Sequence, residues 1–393
     1  MMSKVNNRPF LNRRLEGLGT TIFAEMSARA VATGSINLGQ GFPDRDGPPE
    51  IAQAAADAIL QGRGNQYPPG TGIPELRHAI TNHARRFYGL GYAPDTEVLV
   101  TAGATEAVAA AMLALVEPGD EVIAFEPYYD SYAANIAMAG GIRVPVTLRP
   151  PDFRPDLVEL AKAITPRTRL ILLNSPHNPT GSVFTRDELA AIAALAVEND
   201  LLVVTDEVYE HLVFDGEHVP IAQFPGMRER TVRISSAGKT FSFTGWKIGW
   251  VMASPELVTA VKTAKQFLTF VSGGPFQYAI AQALALPDTY YTTLRQDLQA
   301  QRDLLTRGLA DLGFEVYPPQ GTYFVTTDIR PLGEPDGLAF CRALPDRAGV
   351  VAIPSAVFYD DQEGARTQVR FAFCKRPEVL TEALRRLARM TRS

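Results

Sequence analysis

The stretch "TVRISSAGKTFSFTGWKIGWVMAS" (231–254) contains two apolar segments joined by a short polar loop. Residues 231–236 are rich in β-branched side chains and residues 249–254 form a second apolar run, so both are typical of strands. Only about nine residues separate Lys239 from the second segment, which is too few for the helical crossover that joins parallel neighbours. We therefore expect the second strand to run antiparallel to its neighbour, with Lys239 in the loop that precedes it.

Further apolar runs precede this stretch and alternate with helix-like segments. They are nearly continuous rather than alternating, as in strands that are covered on both faces. Helices of about ten or more residues between such strands indicate an α/β fold with a mostly parallel sheet. The runs are "EVLVT" (97–101), "EVIAFEP" (121–127), "RLILLNSP" (169–176) and "LLVVTDE" (201–207).

The chain of 393 residues is longer than the usual domain of about 100–200 residues, so two domains are expected. After about residue 276 the pattern changes to short alternating strands and amphipathic helices, which indicate a smaller α+β domain. The expected organisation is an N-terminal segment (1–44) that packs on the small domain, a large domain (45–285), and the small C-terminal domain (286–393).

The composition limits the classes of protein that are compatible with the chain. With 46% hydrophobic and 21% charged residues it is typical of a globular protein, and a net charge of −5 gives no electrostatic footprint for nucleic acid. No apolar run reaches the roughly 18 residues of a membrane span. The two cysteines, Cys341 and Cys374, exclude a disulfide framework. The basic N-terminus has no apolar run of a secretory signal behind it, so we expect a cytoplasmic protein.

Polar clusters follow the strands, and in a parallel sheet such clusters meet at one edge. Gly103, Ala104 and Thr105 open a helix, where backbone N–H groups could bind a phosphate. Asp206 ends an apolar strand, a costly place for a carboxylate that has no cationic partner. Taken singly, these features also fit an ordinary α/β loop and a helix cap.

The same ambiguity holds for Asn178, which precedes a proline in a turn-forming segment, and for Lys239, which alone would be read as a surface residue. Together with the aromatic side chains of Tyr128 and Tyr209, however, the set matches what a phosphorylated pyridine aldehyde requires. An amine can form a Schiff base, a carboxylate can pair with the ring nitrogen, and donors can bind the ring oxygen.

The chain resembles the class I/II aminotransferases of fold type I, which depend on pyridoxal 5'-phosphate (PLP). The resemblance covers nearly the whole chain and lies closest to the branch of the kynurenine/glutamine transaminases and the actinobacterial N-succinyldiaminopimelate aminotransferases. It implies a large domain with a mostly parallel seven-stranded sheet covered by helices. The shared motifs include "INLGQGFPDRDGPP" (36–49), "NQYPPGTGIPELR" (65–77), "NSPHNPTG" (174–181), "TDEVYEHL" (205–212), "SSAGKTFSFTGWKIGW" (235–250) and "VRFAFCK" (369–375).

This resemblance assigns the cofactor-binding roles. It implies that Lys239 is the Schiff-base lysine and carries the proton in catalysis. Asp206 pairs with the ring nitrogen, Asn178 and Tyr209 donate to the ring oxygen, and Tyr128 stacks on the ring. The phosphate site comprises Gly103, Ala104, Thr105, Ser236 and Lys247, and Lys247 replaces the arginine of many relatives.

The resemblance also assigns substrate contacts. Arg370 grips the substrate α-carboxylate, a task suited to its bidentate geometry, although by itself it would be read as a solvated residue of an alternating strand. Gly39 adds a backbone contact to the same carboxylate. Tyr67 reaches the phosphate of a neighbouring subunit, which implies a homodimer with sites at its interface.

The function implied is an aminotransferase that moves an amino group between an L-amino acid, with glutamate the expected donor, and a 2-oxo acid in two half-reactions. Motif similarity favours N-succinyl-L,L-diaminopimelate as substrate, in lysine biosynthesis. A broad aromatic, methionine, kynurenine or glutamine aminotransferase is the alternative, and a cysteine-conjugate β-lyase would use the same lysine. An aminotransferase-like domain of a transcription regulator would need a DNA-binding module, for which we expect the residues before "GQGF" to be too few.

Overall fold

The computed structural model describes residues 10–18 and 21–390. The strands within these ranges are β1 (Ile36–Asn37), β2 (Val98–Ala102), β3 (Glu121–Glu126), β4 (Ile142–Thr147), β5 (Thr168–Asn174), β6 (Leu202–Asp206), β7 (Thr231–Ser236), β8 (Ile248–Met252), β9 (Glu315–Tyr317), β10 (Phe324–Asp328), β11 (Val350–Val351), β12 (Ile353–Pro354) and β13 (Gln368–Ala372). The helices are α1 (Ile22–Thr33), α2 (Pro49–Leu60), α3 (Pro74–Tyr88), α4 (Gly103–Leu115), α5 (Asp130–Ala139), α6 (Leu157–Ala163), α7 (Arg186–Glu198), α8 (Ala237–Thr240), α9 (Pro255–Lys265), α10 (Gly274–Ala283), α11 (Asp288–Asp311), α12 (Gly337–Ala348) and α13 (Pro377–Met390).

Seven strands form the central sheet in the order β2-β8-β7-β6-β5-β3-β4. β8 is antiparallel to both of its neighbours, β2 and β7, and the other adjacent pairs are parallel. The prediction from the short loop after Lys239 is therefore confirmed. The apolar pattern did not indicate β4, whose Pro145 would interrupt a central strand; β4 lies at the sheet edge, where a missing N–H is tolerated.

Alternate residues of the central strands pack on opposite faces of this sheet. Leu170 and Leu172 of β5 belong to the apolar cluster formed with α4, α5 and α9, whereas Ile171 and Leu173 belong to the cluster formed with α6 and α7. All four side chains are buried. This double coverage explains the continuous apolar runs, because a strand with two buried faces has no polar alternation.

A second sheet, β12-β13-β10-β9, is antiparallel and lies in the C-terminal part of the chain. Its core includes Met26 of α1 and Leu38 beside residues of α11, α12 and α13. β1 also pairs with β11. α1, β1 and Leu38 thus pack on the C-terminal α+β part. In the described ranges, no helix has both the length and the apolar character needed to cross a membrane.

Candidate active site

A cavity of about 450 Å³ opens at the carboxyl ends of the parallel strands, where it meets the C-terminal sheet. Its volume lies within the range of small-molecule sites, roughly 300–1,000 Å³. Ten of the thirteen residues expected from the sequence line it, namely Gly103, Ala104, Thr105, Asn178, Asp206, Tyr209, Ser236, Lys239, Lys247 and Arg370.

The start of α4 forms one end of the cavity. The helix begins at Gly103, whose φ of +74° is a conformation that favours glycine. Lys247 Nζ approaches Thr105 Oγ1 to 3.3 Å, which brings a cation to the helix N-terminus. Gly249 of β8 packs so closely that an added Cβ would lie 2.5 Å from the Gly103 carbonyl carbon. Backbone N–H groups, the helix dipole and an ammonium group thus converge on a site suited to a phosphate.

Asp206 lies at the end of β6 and is only 6% exposed. Its Oδ2 accepts a hydrogen bond of 2.8 Å from the Tyr132 hydroxyl, and its Oδ1 accepts one of 3.2 Å from the Val208 N–H. Burial raises the pKa of this carboxyl, and these hydrogen bonds lower it in part. A cationic ring nitrogen in the cavity would supply the favourable charge that this buried carboxylate needs.

Two further residues that the sequence analysis did not select support this aspartate. Asn174 donates from Nδ2 to the Asp206 carbonyl at 2.8 Å and accepts from the Asn178 N–H at 2.7 Å. It pairs directly with Asp206 across β5 and β6, so strand register could have indicated it. Tyr132 of α5 and Tyr129, the residue directly before α5, both line the cavity. Their spacing of three residues places them on one face of a helix, so this spacing could have indicated Tyr132.

Lys239 lies in the one-turn helix α8, directly after β7, where the sequence had predicted a loop, and its side chain is half-buried. Its Nζ is 5.8 Å from the centre of the Tyr209 ring and 5.7 Å from that of Tyr323. Burial lowers the pKa of this amine, the Cys374 thiol and the Asp206 carboxyl raise it in part, and the cations Lys247 and Arg370 lower it further. A lysine with a lowered pKa is more often neutral and can act as a nucleophile towards a carbonyl carbon.

Arg370 enters the cavity from β13 and is 1% exposed. Its guanidinium donates to Asn178 Oδ1 at 3.0 Å and to the Gly39 carbonyl at 2.9 Å, while the buried Nε has no hydrogen-bond partner. Burial lowers its pKa to about 10. Within residues 10–18 and 21–390, no carboxylate forms an ion pair with it. The cavity therefore holds a cation whose charge a substrate carboxylate could balance.

Three expected residues do not line the cavity. Tyr128 was expected to stack on the cofactor ring, but its hydroxyl donates to Asp360 at 2.5 Å, and the neighbouring Tyr129 lines the cavity instead. Gly39 directs its N–H to Asn37 Oδ1, so its observed contribution is the carbonyl that holds Arg370. Tyr67 is 81% exposed and lies at a separate surface cleft formed by residues 64–68 and 271–274.

A buried charged network lies behind the cavity residues of the turn after β6. Arg233 of β7 forms ion pairs with Glu207 and Glu210. Beside it, His83 Nε2 and His211 Nε2 are 2.8 Å apart. Burial lowers the pKa of His83 to about 4 and holds that of His211 well below its usual value. Both imidazoles are therefore neutral at pH 7, and the network anchors the turn to β7.

The donor set fits a phosphorylated pyridine aldehyde. The start of α4 and Lys247 offer an anion site, the buried Asp206 forms no ion pair with any described residue, and Lys239 supplies an amine with a lowered pKa. Gly103 and Gly249 allow β8 and Lys247 to pack closely against the start of α4, where an added Cβ would collide with neighbouring atoms. Tyr129 lies on the same cavity wall as an aromatic surface for a planar ring.

Comparison with known proteins gives the same picture. The family model of aminotransferase class I and II matches residues 33–387. The chain is 55% identical over 386 residues to a probable N-succinyldiaminopimelate aminotransferase of Mycobacterium tuberculosis. The alignment covers 95% of this chain and 97% of the relative. The solved structure of the M. tuberculosis enzyme superposes with a TM-score of 0.94 at 55% identity, over 96% of this chain and 99% of that one.

More distant relatives lie in the branch that the sequence motifs indicated. The methionine aminotransferase of Escherichia coli is 41% identical over 98% of this chain and 100% of its own length. Mouse kynurenine–oxoglutarate transaminase 3 is 36% identical over 94% of this chain and 88% of its own. The chain therefore belongs to the class I and II aminotransferases, the PLP-dependent transaminases of fold type I.

Proposed function

We propose that the protein transfers the amino group between N-succinyl-L,L-2,6-diaminopimelate and 2-oxoglutarate, with glutamate as the product or donor. The observation that carries the transaminase chemistry is the placement of Lys239 and Arg370 on the walls of one cavity. The substrate assignment is supported by the 55% identity to the mycobacterial enzyme over nearly the full length of both chains. Its place would then be in lysine biosynthesis.

The cofactor would be held at both of its ends. The phosphate would bind the N–H groups of Gly103, Ala104 and Thr105, with the side chains of Ser236 and Lys247. PLP, when bound, supplies an aldehyde for the amino group and a protonated ring that withdraws electrons from the substrate Cα.

The side chains around the ring have distinct tasks in this proposal. Asp206 would keep the proton on the ring nitrogen, and Tyr132 holds its carboxylate in place. The ring oxygen would accept hydrogen bonds from Tyr209 and from the amide NH₂ of Asn178, whose oxygen is already occupied by Arg370. Tyr129 takes the ring-stacking role that the sequence assigned to its neighbour.

The substrate α-carboxylate would bind the Arg370 guanidinium, in the contact that the resemblance assigned to it. Lys239 Nζ would carry the proton between Cα and the aldehyde carbon of the cofactor, in one direction in the first half-reaction and in the reverse direction in the second. Gly39 contributes indirectly, because its carbonyl fixes the guanidinium.

A broad aromatic or methionine aminotransferase is the second candidate. It is favoured by the aromatic side chains of Phe23, Phe42 and Phe324 in the cavity wall, which suit an apolar substrate side chain. The E. coli relative carries the name methionine aminotransferase. A β-lyase would differ in releasing pyruvate, ammonia and a thiol from a cysteine conjugate.

We also propose a homodimer in the cytoplasm. The exposed Tyr67 and Phe270 form an edge-to-face pair with ring centres 5.5 Å apart, and Phe267, three residues before Phe270, is 81% exposed. Such an aromatic patch suits burial against a second copy, where Tyr67 would reach the partner's phosphate site. Both cysteines are free and buried, as suits a reducing compartment.

The test is the absorption spectrum of the PLP-loaded protein mixed with one amino donor at a time. Conversion of the cofactor to its amine form by glutamate and by the succinylated diamine is the expected result. Conversion by methionine or kynurenine but not by the succinylated compound would refute the substrate and favour the second candidate. Lys239→Ala is the control: it should bind PLP without converting it, and wild-type turnover in this variant would refute the assignment of the lysine.

A further inference from the structure

We propose that Asp360, held by Tyr128 and Arg143, is a positioning residue that fixes the carboxylate-binding Arg370 relative to the cofactor wall of the cavity. The inference rests on the function proposed above, because it takes Arg370 as the group that binds the substrate carboxylate. It gives a task to Tyr128, which the sequence singled out and the cavity does not use.

Asp360 joins the edge of the central sheet to a turn of the C-terminal part. Its Oδ1 accepts the hydrogen bond of 2.5 Å from the Tyr128 hydroxyl, and its Oδ2 accepts one of 2.9 Å from Arg143 Nε on β4. The Arg143 guanidinium forms a second bond to Oδ1 and lies 5.2 Å from the centre of the Tyr128 ring. The bidentate ion pair and the phenol together occupy both oxygens of the carboxylate.

Backbone hydrogen bonds run beside this side-chain contact. The Asp360 N–H donates to Glu126 Oε2 at 2.8 Å, and the Tyr128 N–H donates to the Phe358 carbonyl at 3.0 Å. Glu126 is itself fixed through Oε1, which accepts from Thr147 Oγ1 at 2.7 Å. Residues 126–128 and 358–360 are therefore joined at several points, and neither segment can shift without breaking several of these bonds.

Each joined segment continues directly into the active site. Tyr129 follows Tyr128 and lines the cavity. On the other side, the ring centre of Phe358 lies 4.9 Å from the Arg370 Cζ, while the Phe324 ring covers the guanidinium at 3.9 Å. The position of the Arg370 guanidinium is thus set by these two rings and by its hydrogen bonds to Asn178 and Gly39. Displacing the Asp360 turn would displace Phe358, and with it one wall of the Arg370 site.

The kinetic consequence follows from which contact changes. A misplaced Arg370 weakens carboxylate binding equally in the bound substrate and in the transition state, which raises KM and leaves kcat unchanged. We expect Asp360→Asn to raise KM about 3- to 5-fold for glutamate and for 2-oxoglutarate, with kcat within about 2-fold of the wild type, since it removes the charge of a partly exposed ion pair with Arg143. Tyr128→Phe should raise both KM values by about 3-fold. PLP affinity should not change.

The experiment measures kcat and KM of the PLP-loaded variants for both substrates. The matched control is Asp361→Asn, the same change one residue away, where the side chain accepts a hydrogen bond from the Glu363 N–H of its own turn. Equal KM values in wild type, Asp360→Asn and Tyr128→Phe would overturn the inference, as would a loss confined to kcat or to PLP affinity. If Asp360→Asn does not fold, Tyr128→Phe decides by the same criterion.

Arg370→Ala separates failure of this inference from failure of the proposed function. If Arg370→Ala raises KM and the two other variants do not, the positioning role alone is refuted. If Arg370→Ala leaves KM unchanged, the carboxylate site itself is elsewhere, and the proposed function fails with the inference.

Discussion

Removing the Tyr132 hydroxyl tests whether Asp206 needs its hydrogen bond to support catalysis. Tyr132→Phe deletes the 2.8 Å bond to Oδ2 and leaves the aromatic ring in a buried position. Burial already raises the pKa of Asp206, and this bond opposes the rise, so its loss should make the neutral carboxylic acid more populated. A neutral Asp206 cannot balance a protonated ring nitrogen.

The size of the effect follows from the kind of bond that is lost. A hydrogen bond to a charged group contributes about 1.5–3 kcal/mol. At about 1.4 kcal/mol for each factor of ten in rate, full expression of this loss in the transition state lowers kcat/KM roughly 10- to 100-fold. The ring remains, so packing should contribute little.

The assay is a single half-reaction of the PLP-loaded enzyme with glutamate. Rapid mixing starts the reaction, and the absorbance of the cofactor gives its rate. The matched control is Tyr129→Phe, which removes a hydroxyl from the same cavity without touching the Asp206 bond. A rate within about 2-fold of the wild type for Tyr132→Phe, at full PLP occupancy, would refute the reasoning. An equal loss in both variants would show that the effect does not pass through Asp206.

Gly249→Ala should lower PLP affinity about 10-fold or more, because the new Cβ would collide with the first turn of α4. Gly245→Ala is the control and should leave the affinity unchanged, because Gly245 has open space around it. A PLP titration measures both affinities. Arg370→Lys should raise KM for glutamate and 2-oxoglutarate roughly 10- to 100-fold in steady-state assays, because the ammonium keeps the charge but cannot form the two-pronged contact. His83 has a pKa near 4 when folded and a usual value of 6.5, so the unfolded chain binds more protons between these values and stability falls as the pH drops. The free energy of unfolding, measured in urea, should fall by about 2 kcal/mol between pH 7 and pH 5. His83→Gln should reduce this loss. His78→Gln, at an exposed position of the same helix, should not.

Much of the large sheet could be predicted because its strands are buried on both faces. Runs such as residues 169–176 and 201–207 have no other simple interpretation, and the loop after Lys239 was too short to permit a parallel neighbour. Pro145 concealed β4, since a sequence pattern does not reveal which strand lies at an edge. The length of the preceding loop was enough to predict the direction of β8. The edge strand could be identified only from the order of the strands in the folded sheet.

A position in the cavity wall could be predicted where a residue lies at the carboxyl end of its strand or just beyond it, as Asp206 and Lys239 do. It was missed where one step along the backbone decides the face: Tyr128 and Tyr129 are adjacent and chemically identical, and only the observed conformation directs the second one into the cavity. Arg370 shows the limit of pattern reading most clearly. Its strand looked half-solvated, yet the side chain is 1% exposed because the N-terminal segment and the aromatic rings cover it.

The reversed strand β8 has a consequence for the order in which the protein can mature during its synthesis. β2 is made long before β8, yet among the strands that the structure describes its one neighbour in the central sheet is β8, which lies between β2 and β7. Residues up to 252, the end of β8, must therefore have left the ribosome before β2 can join the sheet. Gly103 at the end of β2 and Lys247 just before β8 meet only at that moment. A nascent chain would thus complete its phosphate site at the step that completes the central sheet, which makes phosphate binding a reporter of that sheet.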